Sequence, residues 1–207
     1  MNILLVFLIW LVPVVAYLLG SIPFGLLIVK TRGGRDIRAI GCGNTGAANV
    51  TRNAGVLAGL LTLLLDAGKG YLAVWIAERW TNSNARWVII AGLAAVIGHV
   101  FSVWLGLRGG KGVATSLGVF LAICPPAVAG AVAFWILLVL FWRYSSLGSI
   151  VAMAALPVLV YVFYAPHHAP PDSILWGTIL ISVLVLWKHR DNMRRLVAGE
   201  ESRLGSR

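Results

Sequence analysis

The stretch Ile40-Gly41-Cys42-Gly43-Asn44-Thr45-Gly46-Ala47-Ala48-Asn49-Val50-Thr51-Arg52 is glycine-rich, carries amide side chains and ends on a base. Glycine lets a backbone turn its N–H groups inward around an anion, and arginine presents a planar fork that fits phosphate oxygens. The chemistry on offer is phosphate binding, with Gly41, Cys42, Gly43, Asn44, Gly46, Asn49 and Arg52 as the candidate residues. A flexible turn between helices is the plainer alternative. A second basic glycine stretch, Gly106-Leu107-Arg108-Gly109-Gly110-Lys111-Gly112-Val113-Ala114-Thr115, repeats the composition. Arg52 and Lys111 can neutralise phosphate and a developing carbonyl oxyanion, and backbone N–H groups of Gly109, Gly110 and Gly112 can add donors without side-chain bulk.

Further chemistry sits in apolar surroundings. Asp66 and Lys69 are three apart and share a helix face. Charges in a spanning helix are costly unless paired or facing a wet cavity, so the two are a neutralising structural pair or a substrate-facing one. His99 stands alone in an apolar run, as a packing residue or a catalyst. His189 and Asn192 also lie three apart in a basic tail that is either a solvated helix beside the membrane or part of a ligand site.

Both glycine stretches are held between long apolar runs. The chain of 207 residues is 59% apolar and only 12% charged. That excludes an ordinary soluble domain, which would be nearer half apolar and a quarter charged. One integral membrane domain, 1–207, is expected. The runs are Ile3 to Val29, Val56 to Ala77, Trp87 to Leu105, the interval Val113 to Trp142 broken by Pro125-Pro126, a run ending near Ala165, and Ile174 to Trp187. The broken interval is two thin helices or a re-entrant hairpin, and both return Arg143 to the side of Lys111. The expected fold is an all-α membrane protein of about seven transmembrane helices. The Lys/Arg bias places the N-terminus outside and the C-terminus in the cytoplasm. Both glycine stretches, Ser149 and His189 then lie on the cytoplasmic face.

The net charge of +10 invites nucleic acid, anionic lipid or an anionic substrate. The bases are short punctuation between apolar runs, which excludes a nucleic-acid groove. Cys42 and Cys124 make neither a disulfide framework nor a metal site, and no metal or other cofactor is expected. Gly41-x-Gly43-x-x-Gly46 has the dinucleotide fingerprint but lacks the strand and βαβ unit it needs. Gly109-Gly110-Lys111-Gly112 is close to a phosphate-loop motif, but Gly112 stands where a metal-binding hydroxyl is required. His167 and Asp172 have the His-x-x-x-x-Asp spacing of soluble glycerolipid acyltransferases, on the face away from the bases.

Taken as an ordered set, Gly20-Ser21-Ile22-Pro23-Phe24-Gly25, the stretch from Gly41 to Asn49, Asp66-Ala67-Gly68-Lys69-Gly70, the stretch from Gly109 to Thr115, and His189-Arg190-Asp191-Asn192 resemble the bacterial acyl-phosphate:glycerol-3-phosphate acyltransferase (PlsY) family. The resemblance covers nearly the whole chain. It implies acyl transfer from a fatty acyl phosphate to the 1-hydroxyl of glycerol 3-phosphate in the bacterial inner membrane. The products are lysophosphatidic acid and phosphate, and neither acyl-CoA nor acyl carrier protein is needed. It further implies that Ser149, His189 and Asn192 contact glycerol 3-phosphate. The family usually has Ser where this chain has Cys42, and Thr where it has Ala48, which puts the hydroxyl contact at position 42 in doubt. An acyl phosphate is already activated, so direct attack by the glycerol hydroxyl needs no nucleophilic residue; His189 as general base is the competing route. Outside catalysis, an organic-phosphate transporter would suit Asp66 and Lys69, but few bases stand on the opposite face for an exit site and no repeat is visible. A lipid-binding assembly protein would not require these glycine stretches.

Overall fold

A computed structural model describes residues 3–33, 36–39, 43–164 and 170–205. Gly41, Cys42 and His167 lie outside the described residues. Every regular element among those described is helical. The chain forms two compact units, 1–122 and 123–207.

The first unit opens with α1 (Ile3–Ser21) and α2 (Phe24–Thr31). Together they make one apolar span, Ile9–Thr31, interrupted at Ile22-Pro23. Proline has no N–H and its ring clashes with the preceding turn, which explains the break. A 3-10 turn, Ile37–Ala39, and α3 (Ala47–Ala54) follow. Gly55, at φ 91°, hands the chain directly to α4 (Val56–Trp80). α5 (Ala85–Val100) is started by Asn84, whose side chain accepts from the Arg86 N–H. α6 (Val113–Ile123) closes the unit. Small residues bring these backbones together, as expected where lipid offers no hydrophobic drive for helix pairing. A Cβ on Gly20 would run into the Ala95 backbone, and one on Gly98 into the Tyr17 carbonyl, so α1 and α5 cross in backbone contact. Gly70 against Thr115 and Gly118 against Ala67 do the same for α4 and α6.

The second unit holds α7 (Pro125–Trp142), α8 (Ser145–Phe163), α9 (Asp172–Lys188) and α10 (Arg190–Val197). Pro125 and Pro126 occupy the first turn of α7, where a missing N–H costs nothing. Arg143, left-handed at φ 62°, turns α7 into α8. α9 bends by 54° into α10. Leucines of α4, including Leu60 and Leu64, and the outer faces of α7 and α8, including Leu140 and Val162, are exposed in the pattern expected of lipid-facing surface. Two buried hydroxyls are satisfied inside their own helices: Thr62 donates to the Ala58 carbonyl at 2.8 Å and Thr178 to Ile174 at 2.6 Å.

Among the described residues, five helical segments are long and apolar enough to cross a bilayer, and α9 with α10 makes a sixth if the bent pair is one span. The expected seventh corresponds to α6. Its 11 residues cover only about 16 Å at 1.5 Å per residue, because the helix stops before Pro125.

Candidate functional site

In the first glycine stretch the amide side chains are tied into the loop itself. Asn44 accepts the Gly46 N–H through its side-chain oxygen at 3.0 Å. Asn49, buried, donates to the Asn44 carbonyl at 2.8 Å and to the Ile37 carbonyl at 3.3 Å. Asn53 in turn donates to the Asn49 side chain at 3.0 Å. Gly43 is left-handed at φ 66°, the conformation glycine adopts without strain. Gly46 caps α3, its carbonyl accepting the Asn49 and Val50 N–H groups. The first N–H groups of a helix have no partner inside it, so the loop delivers the open end of α3, with exposed Arg52 in the last turn of that helix. Beside it Arg38 grips Asp36 through both carboxylate oxygens, and those hydrogen bonds lower the Asp36 pKa to about 2.

The second stretch is held differently. The Gly109 N–H donates to the Val100 carbonyl and the Gly110 N–H to the His99 carbonyl, both at 3.0 Å. The amides expected to face phosphate are therefore used to close the end of α5. A Cβ on Gly109 would strike the His99 carbonyl, and one on Gly110 the His99 ring. These two glycines allow close packing, and donors for an anion must come from Lys111, Gly112 and the first turn of α6. Lys111 is half-buried. Gly112, at φ 94°, accepts the Ser116 N–H at 2.8 Å and begins the helix.

Behind both stretches lies a buried charge cluster. Lys69 Nζ sits 2.7 Å from Asp66 Oδ1, donates to the Ile22 carbonyl at 2.8 Å, and lies 5.7 Å from the centre of the Phe24 ring. The same Asp66 oxygen is 3.6 Å from His99 Nδ1. The side chains of Asp66 and Lys69 are each 3% exposed. The proline break thus leaves a carbonyl that the membrane lysine takes up. The cluster lines a small pocket with Ser21, Thr45 and Ser102, and Ser102 donates to the Ser21 carbonyl at 2.6 Å.

In the second unit, Ser149 donates to the Ser145 carbonyl at 2.9 Å, and His189 Nδ1 is 2.8 Å from the Val185 carbonyl. That carbonyl can only accept, so Nδ1 carries a proton. Asn192 donates to Glu201 Oε1 at 2.7 Å while Arg195 Nε donates to Oε2 at 2.8 Å. Burial alone would raise the Glu201 pKa; Ser146, Asn192 and Arg195 around it hold the carboxyl below its ordinary value. The tail is also stitched to the turn before α8: Leu204 and Arg143 exchange hydrogen bonds, and Arg203 reaches the Tyr144 hydroxyl at 3.1 Å. All three candidates of this unit are buried.

A family model described as glycerol-3-phosphate acyltransferase matches residues 10–199. The chain belongs to that family. It is 52% identical to the glycerol-3-phosphate acyltransferase of Trichlorobacter lovleyi, with 91% of this chain and 93% of that one covered. The Geobacter sulfurreducens member is 48% identical, with 91% and 94% covered. Among solved structures, the chain superposes on PlsY, an integral membrane glycerol 3-phosphate acyltransferase, in its glycerol 3-phosphate form. The TM-score is 0.88 and the identity 39%, over 95% of this chain and 96% of that one. The lysophosphatidic acid form gives 0.86 and 38%, with 95% of each chain covered.

Membership makes this chain an integral membrane acyltransferase and accounts for its ordered motifs. Sequence reading did not foresee three contacts of the candidate residues: in the first unit Lys69 on the Ile22 carbonyl and Asp66 with His99, and in the second Asn192 on Glu201. The proline break was the available signal for the first, since it leaves a carbonyl without its helical partner. The other two join residues 33 and nine positions apart, where no local pattern operates.

Proposed function

We propose that the protein transfers a fatty acyl group from acyl phosphate to the 1-hydroxyl of glycerol 3-phosphate. The glycerol oxygen attacks the acyl carbonyl carbon and the bond from that carbon to the phosphate oxygen breaks. The leaving phosphate takes the hydroxyl proton, giving 1-acyl-glycerol 3-phosphate and inorganic phosphate. The observation that carries this reading is the likeness along 95% of the chain to PlsY in forms named for glycerol 3-phosphate and lysophosphatidic acid.

Arg52 and Lys111 are the catalytic cations in this proposal. They balance phosphate charge and the oxyanion that develops at the carbonyl, with half-buried Lys111 better shielded from water than exposed Arg52. The open ends of α3 and α6 add backbone donors, that of α6 close to Lys111 and that of α3 more than a turn before Arg52. Gly41, Cys42, Gly43, Asn44, Gly46 and Asn49 shape the first phosphate loop, and Gly109, Gly110 and Gly112 the second. Lys69 lines the pocket behind, already balanced by Asp66. Ser149, His189 and Asn192 bind glycerol 3-phosphate from the second unit. With Nδ1 turned to a backbone carbonyl, His189 has Nε2 for a ligand hydroxyl or phosphate oxygen. No nucleophilic residue, metal or carrier protein enters the reaction.

Residues 1–207 form one acyltransferase domain of the bacterial inner membrane. The N-terminus is outside, the C-terminus cytoplasmic, α6 is the seventh membrane element, and the bases face the cytoplasm. The test is purified protein with acyl phosphate and labelled glycerol 3-phosphate, scored for lysophosphatidate, with acyl-CoA and acyl carrier protein as parallel donors. Product from acyl phosphate alone is expected. Product from acyl-CoA at an equal rate would sink the donor assignment.

A further inference from the structure

The Asp66–His99 pair does more than fill space. A hydrocarbon side chain would fill the end of α5 at lower cost, because an acid in a spanning helix is expensive even when paired. His99 is held from two sides. Its Nδ1 is 3.6 Å from Asp66 on α4, and its Nε2 edge lies so close to Gly110 that no Cβ fits there. Its own carbonyl accepts the Gly110 N–H at 3.0 Å, so residue 99 grips Gly110 with both ring and backbone. Lys111 is the next residue. On its other side Gly112 turns into α6, which is seated on α4 through Gly118 against Ala67 and Gly70 against Thr115. Both ends of the Lys111 segment are thus referenced to the same stretch of α4, Asp66 to Gly70. Asp66 is itself fixed by Lys69, which is anchored on the Ile22 carbonyl.

We propose that Asp66 and His99 are positioning residues, a brace that sets where the Lys111 ammonium points. The inference rests on the acyltransferase reading only in taking Lys111 as the substrate-side cation. Catalysis by a fixed charge depends on placement, and a displacement of about 1 Å can cost on the order of 100-fold in rate. The brace therefore acts on turnover and leaves ground-state binding of glycerol 3-phosphate largely alone.

The test uses the full-length protein in detergent, with His99→Gln, His99→Phe and Asp66→Asn. Expected is a fall in kcat of roughly 10- to 100-fold for His99→Phe, with KM for glycerol 3-phosphate within about twofold. His99→Gln should recover part of the loss, since its amide can still donate to Asp66. In a Lys111→Ala background, His99→Phe should add little further loss, because the two act through one group. Should Asp66→Asn fail to fold, the His99 series carries the test by itself. Wild-type kcat in His99→Phe, or a loss that multiplies in full with that of Lys111→Ala, overturns the brace. If the parent protein makes no lysophosphatidate, the reaction assignment fails instead. The brace is then read by acetic anhydride labelling of Lys111, scored by mass spectrometry against Lys30. His99→Phe should change the relative Lys111 labelling rate severalfold, and an unchanged ratio overturns the proposal.

Discussion

The two glycine stretches have similar compositions and opposite construction. The first, from Gly43 to Gly46, is tied by side-chain amides: Asn44 caps Gly46, and Asn49 staples the loop to Asn44 and Ile37. The second, from Gly109 to Gly112, is tied by its backbone to the last carbonyls of α5 and by shape to the His99 ring. Glycine content alone therefore does not say whether a loop offers N–H groups to an anion. In the first stretch glycine chiefly supplies a left-handed turn; in the second it supplies the absence of a Cβ. What the two share is their exit, each loop feeding a helix from a glycine cap, with a base nearby.

The comparison can be broken or sharpened by substitution. The largest effect belongs to Lys111→Ala, expected to lower kcat by more than about 100-fold while folded protein is retained, since such a charge contributes on the order of 3 kcal/mol to the transition state. Steady-state kinetics with acyl phosphate check it, and near-normal turnover would remove Lys111 from the reaction. Gly110→Ala comes next. Its methyl has no room beside His99, and overpacking of this kind costs about 1–3 kcal/mol. A lower melting temperature together with lost activity is the expected pair of readings. Arg52→Lys keeps the charge and loses the fork, for a fall of about tenfold in kcat/KM, near the lower end for a charge-assisted hydrogen bond. Full activity would make Arg52 a topology signal only. Gly46→Ala should be almost silent, within about 0.5 kcal/mol in stability, because its backbone is extended and a Cβ would find the Asn44 side chain at 3.5 Å. A loss as large as that of Gly110→Ala would erase the distinction between the stretches. Cys42→Ser should hold activity or raise it slightly, a hydroxyl being the better hydrogen-bond donor. An acyl-thioester trapped on Cys42 in the parent would instead make the reaction two-step.

Much of the fold was legible because membrane helices announce themselves by length and hydropathy, and the break at Pro23 and the stop before Pro125 follow from proline geometry. The motifs were legible because glycine and arginine have few other reasons to cluster between apolar runs. The span count was harder to read. A run of apolar residues does not reveal whether the short α6 ahead of Pro125 counts as a span, or that α9 bends by 54° into α10. The direction of the glycine amides was illegible for a related reason. Whether Gly109 faces a ligand or the end of α5 is decided by how the loop folds back on the helix it leaves. For Asp66 and Lys69 the spacing foretold the pairing, while the role of His99 depended on a contact across 33 positions.

The Asp66–Lys69 pair also bears on how the protein is made. A single acid or lysine at the centre of a helix entering the bilayer is opposed by about 2.5–3.5 kcal/mol. Spaced three apart, the two charges travel in the same segment, so each enters already neutralised. Chain order helps further. The α1–α2 span, with its Ile22 carbonyl, is synthesised before α4, so an acceptor is in place when Lys69 arrives, and His99 follows on the next long helix. Asp66→Ala or Lys69→Ala alone would send an unescorted charge into the membrane. The yield of inserted protein should therefore fall further in either single variant than in one where both are replaced by neutral residues.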